Sequence, residues 1–184
     1  MAVTTLPVSD MLPTKWEPIF KNRFILAIEG IDAYLVKSGG RPKYTIEEKE
    51  IPWINSTRYV AGKTKFEAMN CTLYEAIAPS GAQQVMEWIR LHFESVSGRG
   101  GYADFYKRDI QLKMLDPVGN VVQLWDIKGA QLTSVDFGEV DYNTSDMTEI
   151  ALSIRFDNAV LQFWIKLITN IINPGILSYV WIFL

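Results

Sequence analysis

The stretch from Val121 to Asp157 constrains this chain more than any other. In its last part Ile150, Leu152, Ile154 and Phe156 alternate with Glu149, Ala151, Ser153, Arg155 and Asp157, which gives an extended strand one apolar and one polar face. Two further strands precede it, Val121 to Ile127 and Ala130 to Phe137. Both are filled with β-branched and aromatic residues and are hinged at Lys128-Gly129. Gly138 to Met147 reads as the polar loop that returns the chain for the closing strand. Such a run builds antiparallel sheet, and the sheet must bury its apolar side against something else in the chain.

Composition narrows what that fold can do. At 184 residues with 48% hydrophobic content, the chain can bury one sizeable core. A net charge of −3 argues against a protein built to grip phosphates, which needs clustered Lys and Arg. The single cysteine, Cys71, excludes an internal disulfide and a thiolate metal site, so a reducing compartment is the simplest setting. The N-terminal run carries prolines and an aspartate with no unbroken apolar core, unlike a secretory signal.

Along the chain, residues 1–21 read as an irregular arm in which Pro7, Pro13 and Pro18 oppose regular structure, while Trp16 and Phe20 could dock it on a neighbour. Asn22 to Val36 predicts a strand pair around Gly30. After the turn signal Ser38-Gly39-Gly40-Arg41-Pro42, Tyr44 to Ile51 is a charged strand suited to an exposed edge or projecting hairpin. Thr64 to Ala76 predicts a strand with both faces partly covered. The period then changes: Ala82, Val85, Met86, Trp88, Ile89, His92 and Phe93 recur at helical spacing. This predicts a helix over about 81–95, with Ser80 and Gln83 as a capping box and Gly98 as the stop. Tyr102 to Arg108 fits no single pattern. Ile110 to Leu115 pairs with Val121 to Ile127 across Asp116-Pro117-Val118-Gly119-Asn120, a hairpin signal. Strands, one helix, then strands indicate a mainly β (α+β) fold: an antiparallel barrel or sandwich over 22–158 with one flanking helix. Residues 159–184 form a hydrophobic C-terminal extension. Its run from Phe163 to Leu184 is long enough to cross a hydrocarbon core of roughly 30 Å, although Lys166, Asn170, Asn173 and Pro174-Gly175 interrupt it. It could span a membrane, pack against this or another subunit, or be an extension outside the fold.

The residue types that carry catalysis are sparse. A single histidine, His92, lies on the apolar side of the helix, which rules out a histidine metal cluster and fits a packed structural residue. Asp136-Phe137-Gly138 matches a kinase tripeptide without the glycine-rich loop or catalytic-loop segment that would give it meaning. Asp136, Glu139 and Asp141 could imitate a carboxylate site, but their spacing is that of a solvated loop and not of a calcium loop. There is neither a P-loop nor a nucleophile elbow. We expect no enzyme activity, cofactor or metal.

The order of elements resembles the tail tube proteins of contractile-tailed bacteriophages over about residues 20–158. The matching pieces are Phe20-Lys21-Asn22-Arg23-Phe24 opening the first strand, Arg58 to Phe66 entering another, and the Gln83 to Phe93 helix with Glu87-Trp88. The closing run from Trp125-Asp126-Ile127-Lys128-Gly129-Ala130 through Asp136 to Asp141, ending in Ile150 to Asp157, completes the set. Their order and spacing carry the resemblance. It implies a small β-barrel or sandwich that assembles into hexameric rings, stacked as the hollow tube inside a contractile sheath, through which DNA leaves the capsid. Type VI secretion tubes and related contractile injection systems are similar in fold and stay open as alternatives.

The implied partners are further copies of the chain, the tail sheath protein, the baseplate and tail terminator proteins, and the tape-measure protein and genomic DNA within the bore. The implied location is the virion tail, assembled in the host cytoplasm. For contacts between rings or subunits we single out Trp16, Phe20, Tyr44, Glu47, Glu48, Lys49, Glu50, Trp53, Arg58 and Tyr59. Asp136, Glu139 and Asp141 are expected at the lumen or ring surface, where carboxylates would repel DNA phosphates. The tail after Phe163 departs from the family pattern. It supports a rival reading as a membrane-tethered β-barrel binding domain. A carboxylate-dependent hydrolase using Asp136 and Glu139 ranks last.

Overall fold

The computed structural model describes residues 17–162. Expectations placed on Trp16 and the rest of residues 1–16, and on the hydrophobic run from Phe163, lie outside the described residues. In chain order the strands are β1 (Phe24–Ile28), β2 (Val36–Gly39), β3 (Tyr44–Trp53), β4 (Ser56–Phe66), β5 (Met69–Tyr74), β6 (Phe93–Glu94), β7 (Arg99–Gly100), β8 (Arg108–Leu115), β9 (Val121–Asp136), β10 (Glu149–Arg155) and β11 (Asn158–Gln162). Helix α1 spans Gly81–His92, and a single turn, α2, spans Ala103–Tyr106.

Strand β9 is the axis of the fold. Its first half pairs with β8 on one edge and β11 on the other, and its second half pairs with β10. The two strands expected around Lys128-Gly129 are thus one strand with a bend. Between Arg108 and Ile110, β8 faces the longer β9 step from Ala130 to Ile127. That extra residue is a β-bulge, and it keeps Ile127 and Ala130 both inward although they are three residues apart. Gly129 occupies the bulge at φ 67°, a left-handed backbone that side chains disfavour. Across from it, Arg155↔Gln131 and Asn158↔Lys128 keep one register, so β10 and β11 form a rail along β9 with a gap at Phe156-Asp157 and a second bulge where Ser153 and Ile154 face Ser134 and Leu132. β11 begins at the expected domain limit, Asn158, and carries the sheet on to Gln162.

The main sheet runs β1-β8-β9-β10-β5-β2, entirely antiparallel. Its ends, β1 and β2, approach through side chains: a Cβ on Gly39 would sit 2.9 Å from Leu26 Cδ2. The result is a sandwich that nearly closes into a barrel. The expected inward row is present, with Ile150, Leu152, Ile154 and Phe156 all buried. They meet Met69, Cys71 and Leu73 of β5 and Ile110, Leu112 and Met114 of β8 in one core. Burial pushes the Cys71 thiol up to about 12, which leaves it protonated and unreactive.

Helix α1 covers one side of this core with Val85 and Trp88, both fully buried. Ser80 caps it by accepting from the Gln83 amide at 3.3 Å. Glu75 adds a second cap that the sequence reading missed, accepting from Ser80 Oγ at 2.8 Å and from the Ala82 amide at 3.0 Å. The helix stops at His92, before the expected 95, because Phe93 turns extended at φ −154°. Gly98 instead turns the β6–β7 hairpin, donating to the Glu94 carbonyl at 2.8 Å. Three other expectations change. Residues 32–36 form a 3-10 turn (Ala33–Leu35) rather than the second strand of a pair around Gly30. The strand expected over 64–76 is split between β4 and β5. The outer face of β5 is open, with Asn70 and Tyr74 exposed.

Replacing Gly129 by Ala should lower stability by roughly 1–2 kcal/mol, the cost of a side chain in left-handed backbone. The new Cβ would also collide with the Asp157 carboxylate. Chemical denaturation checks this, and an unchanged midpoint would contradict the role given to the bulge.

Candidate assembly surfaces

Strands β3 and β4 pair only with each other and leave the sandwich as a long hairpin. Its root is held by Phe66, whose ring lies 5.5 Å from Phe156 and 6.3 Å from Tyr44. Beyond the root both faces are open. Trp53 is 69% exposed and Ile54, at the tip, 96%. Ten- and eleven-residue strands normally bury one face, so a hairpin with none is incomplete in the isolated chain.

The register sorts the hairpin's side chains, because directly opposed residues of an antiparallel pair share a face. Lys49↔Val60, Ile51↔Arg58 and Trp53↔Ser56 place Trp53, Ile51 and Val60 beside Lys49 and Arg58. Glu48↔Ala61, Glu50↔Tyr59 and Pro52↔Thr57 place Glu48, Glu50 and Tyr59 on the other face. Glu47 lies nearer the root, opposite a bulge, and pairs with Lys65. The hairpin residues singled out from sequence are therefore brought together, but onto two faces of opposite charge. Phe20, exposed under the Arg23 guanidinium at 4.9 Å, stands apart near the first strand.

A second exposed region is the loop between β9 and β10. Asp136 accepts the Gly138 amide at 3.0 Å and Asp141 accepts the Asn143 amide at 3.0 Å, so these carboxylates shape turns. Among the described residues, no group of three His, Cys, Asp or Glu is placed to hold a metal ion. By sequence this loop is polar. The structure also shows Val140 91% exposed, with Tyr142 and Met147 of the same loop exposed as well.

A third exposed corner, unassigned from sequence, carries Phe93, Val96, Tyr102 and Phe105. It is anchored from beneath. Trp88 Nε1 donates to the Tyr106 carbonyl at 2.7 Å, Arg108 lies 4.9 Å over the Trp88 ring, and His92 stacks on Tyr106 at 4.2 Å. Phe93 fits the helical spacing but lies just past the end of α1 and is exposed, while Val96, Tyr102 and Phe105 lie in short segments without periodicity, so the sequence carries little signal for this corner. Among the described residues, no helix is long and apolar enough to cross a membrane.

No family model matches the chain. A tail tube protein of Serratia phage KSP90 is 26% identical over 121 residues, covering 65% of this chain and 68% of that protein. Among solved structures, one from the sheath/tube terminator of an extracellular contractile injection system, PVC, is similar at a TM-score of 0.67 and 16% identity. It covers 81% of this chain and 99% of its own. Another, from the six-fold symmetrised baseplate of the anti-feeding prophage, has a TM-score of 0.62 and 12% identity, covering 80% and 97%. These structures share the fold described above.

Burial lowers the pKa of His92 from its ordinary 6.5, and the Arg108 charge adds to this. The folded state then binds a proton less readily than the unfolded one, so stability should fall as pH drops through and below 6.5. His92→Phe should remove that part of the slope in paired denaturation series. Parallel slopes for the two proteins would contradict the assignment.

Proposed function

We propose that the chain is the structural subunit of the inner tube of a contractile phage tail, closing into hexameric rings that stack into a hollow conduit for DNA. The observation that carries this reading is the β3–β4 hairpin, two long strands with no buried face on a sandwich whose fold is that of contractile-machine proteins. A monomer would leave Trp53, Ile54 and Tyr59 in water, whereas stacked copies cover them. The likeness to a phage tail tube protein supports the phage setting and the virion tail as location, with assembly in the host cytoplasm.

Ring closure also accounts for the free edges of β1, β2 and β11. Open edges invite uncontrolled pairing, and a closed ring leaves none exposed. Six-fold symmetry in a machine of similar fold supports the ring number. The sheath, baseplate and terminator are the proposed outer partners; tape-measure protein and DNA are the proposed contents. Conduction is passive: a chain of net charge −3 offers DNA a wall that does not hold phosphates, so the genome slides without sequence-specific contact. The second reading, a tube of an extracellular contractile injection system, is favoured by the origin of the structures with similar folds. It changes the cargo and not the architecture.

Purified protein at high concentration should form rings or tubes visible by negative-stain microscopy, whereas Trp53→Asp should remain folded and unassembled. Tubes formed equally by the variant would remove the hairpin from the stacking contact. A cryo-EM bore lined mostly by Lys and Arg would refute passive conduction.

A further inference from the structure

The tube reading says that the hairpin contacts another copy; the structure also indicates where. The hairpin root and the β9–β10 loop lie at opposite ends of β10. Phe156, which holds Phe66, follows its last residue, and the loop precedes its first, Glu149. Seven strand residues separate these ends, roughly 23 Å. A surface at one end and a different surface at the other make a head-to-tail contact, which extends from copy to copy rather than closing as a symmetric pair.

The two ends also match in chemistry. One hairpin face combines Trp53, Ile51 and Val60 with Lys49 and Arg58; its one β3 acid, Glu47, sits near the root and is paired with Lys65, so the outer part of the face is cationic. Neither Lys49 nor Arg58 forms an ion pair among the described residues. At the opposite end, no Lys or Arg occurs in sequence between Gly129 and Ile154, while Asp136, Glu139, Asp141 and Asp146 do; Glu149, at the edge of this end, is paired with Lys37. That loop displays its own uncovered apolar side chains, Val140, Tyr142 and Met147. We infer that the cationic-apolar face of the β3–β4 hairpin docks on the acidic 137–148 loop of a second copy of this chain. Apolar side chains at the centre supply the buried area, and the charges fix orientation and steer encounter. Asp136, Glu139 and Asp141 then belong to the ring surface rather than the bore. The opposite hairpin face, with Glu48 and Glu50, is left for a different neighbour.

This rests on the tube reading, and proximity labelling separates the two. Asn55→Cys at the hairpin tip and Ser145→Cys in the loop are both at exposed positions, and the buried Cys71 is spared by the reagent. With a short bismaleimide, the double variant should give a ladder of covalent multimers, and neither single variant should. Lys49→Glu with Arg58→Glu should reduce the ladder at least about tenfold, since like charges across an interface cost several kcal/mol. Adding Glu139→Lys with Asp146→Lys should restore it. Tubes that form with no ladder overturn this contact and leave the tube reading standing. Dimers from a single variant alone overturn the head-to-tail geometry. Neither tubes nor ladder overturns both, and a ladder without tubes supports the contact independently of the tube.

Discussion

The structure depends on one strand belonging to both halves of the sandwich. β9 carries β8 and β11 along its first half and β10 along its second, and the change of partners is possible because the Gly129 bulge bends it. The bulge also shifts the side-chain parity by one, which keeps Ile127 and Ala130 in the same core. Without that extra residue the second half of β9 would turn its apolar side to water, since a one-residue slip flips every side chain. Helix α1, the β5–β2 pair and the aromatic corner over Trp88 all pack against a core set by this bend.

Everything that makes the molecule incomplete projects from that core. The hairpin leaves at the Phe156 end of β10 and the acidic loop at the Glu149 end. The core residues are covered within the chain, while Trp53, Ile54, Val140 and Tyr142 are not. This division suits a protein that folds alone and works only in company. In the proposed tube, the sandwich would hold the two contact ends at a fixed distance, and repetition of the one proposed contact would build a long object from a short chain. The ion pairs Lys37–Glu149, Lys107–Asp157 and Lys128–Asp109 are exposed and contribute little to stability, so the rigidity comes from apolar packing.

Much of this was legible in the sequence wherever a period could be counted. The β10 alternation, the α1 pattern with its Ser80 cap, the 116–120 turn and the projecting charged strand were all readable because each depends on neighbours within a few residues. What escaped depends on distant partners. The unity of β9 is set by its bulge register against β8, and the Glu75 cap comes from the preceding strand. The early end of α1 follows from the β6–β7 pairing, and β11 exists because β9 has an open edge beside it. For the candidate surfaces, the sequence identified the hairpin residues but not their division into two faces, which the register alone decides. The apolar members of the 137–148 loop were hidden among polar neighbours, where no period marks them.

Amide exchange over residues 44–66 tests the central claim most directly, comparing dissociated protein with assembled particles. If other copies complete the hairpin, its outer amides exchange readily in the free chain and slow by orders of magnitude on assembly, together with those of 137–148. Equal exchange in the two states would mean that the hairpin stays in water after assembly, and the account built on it would fail.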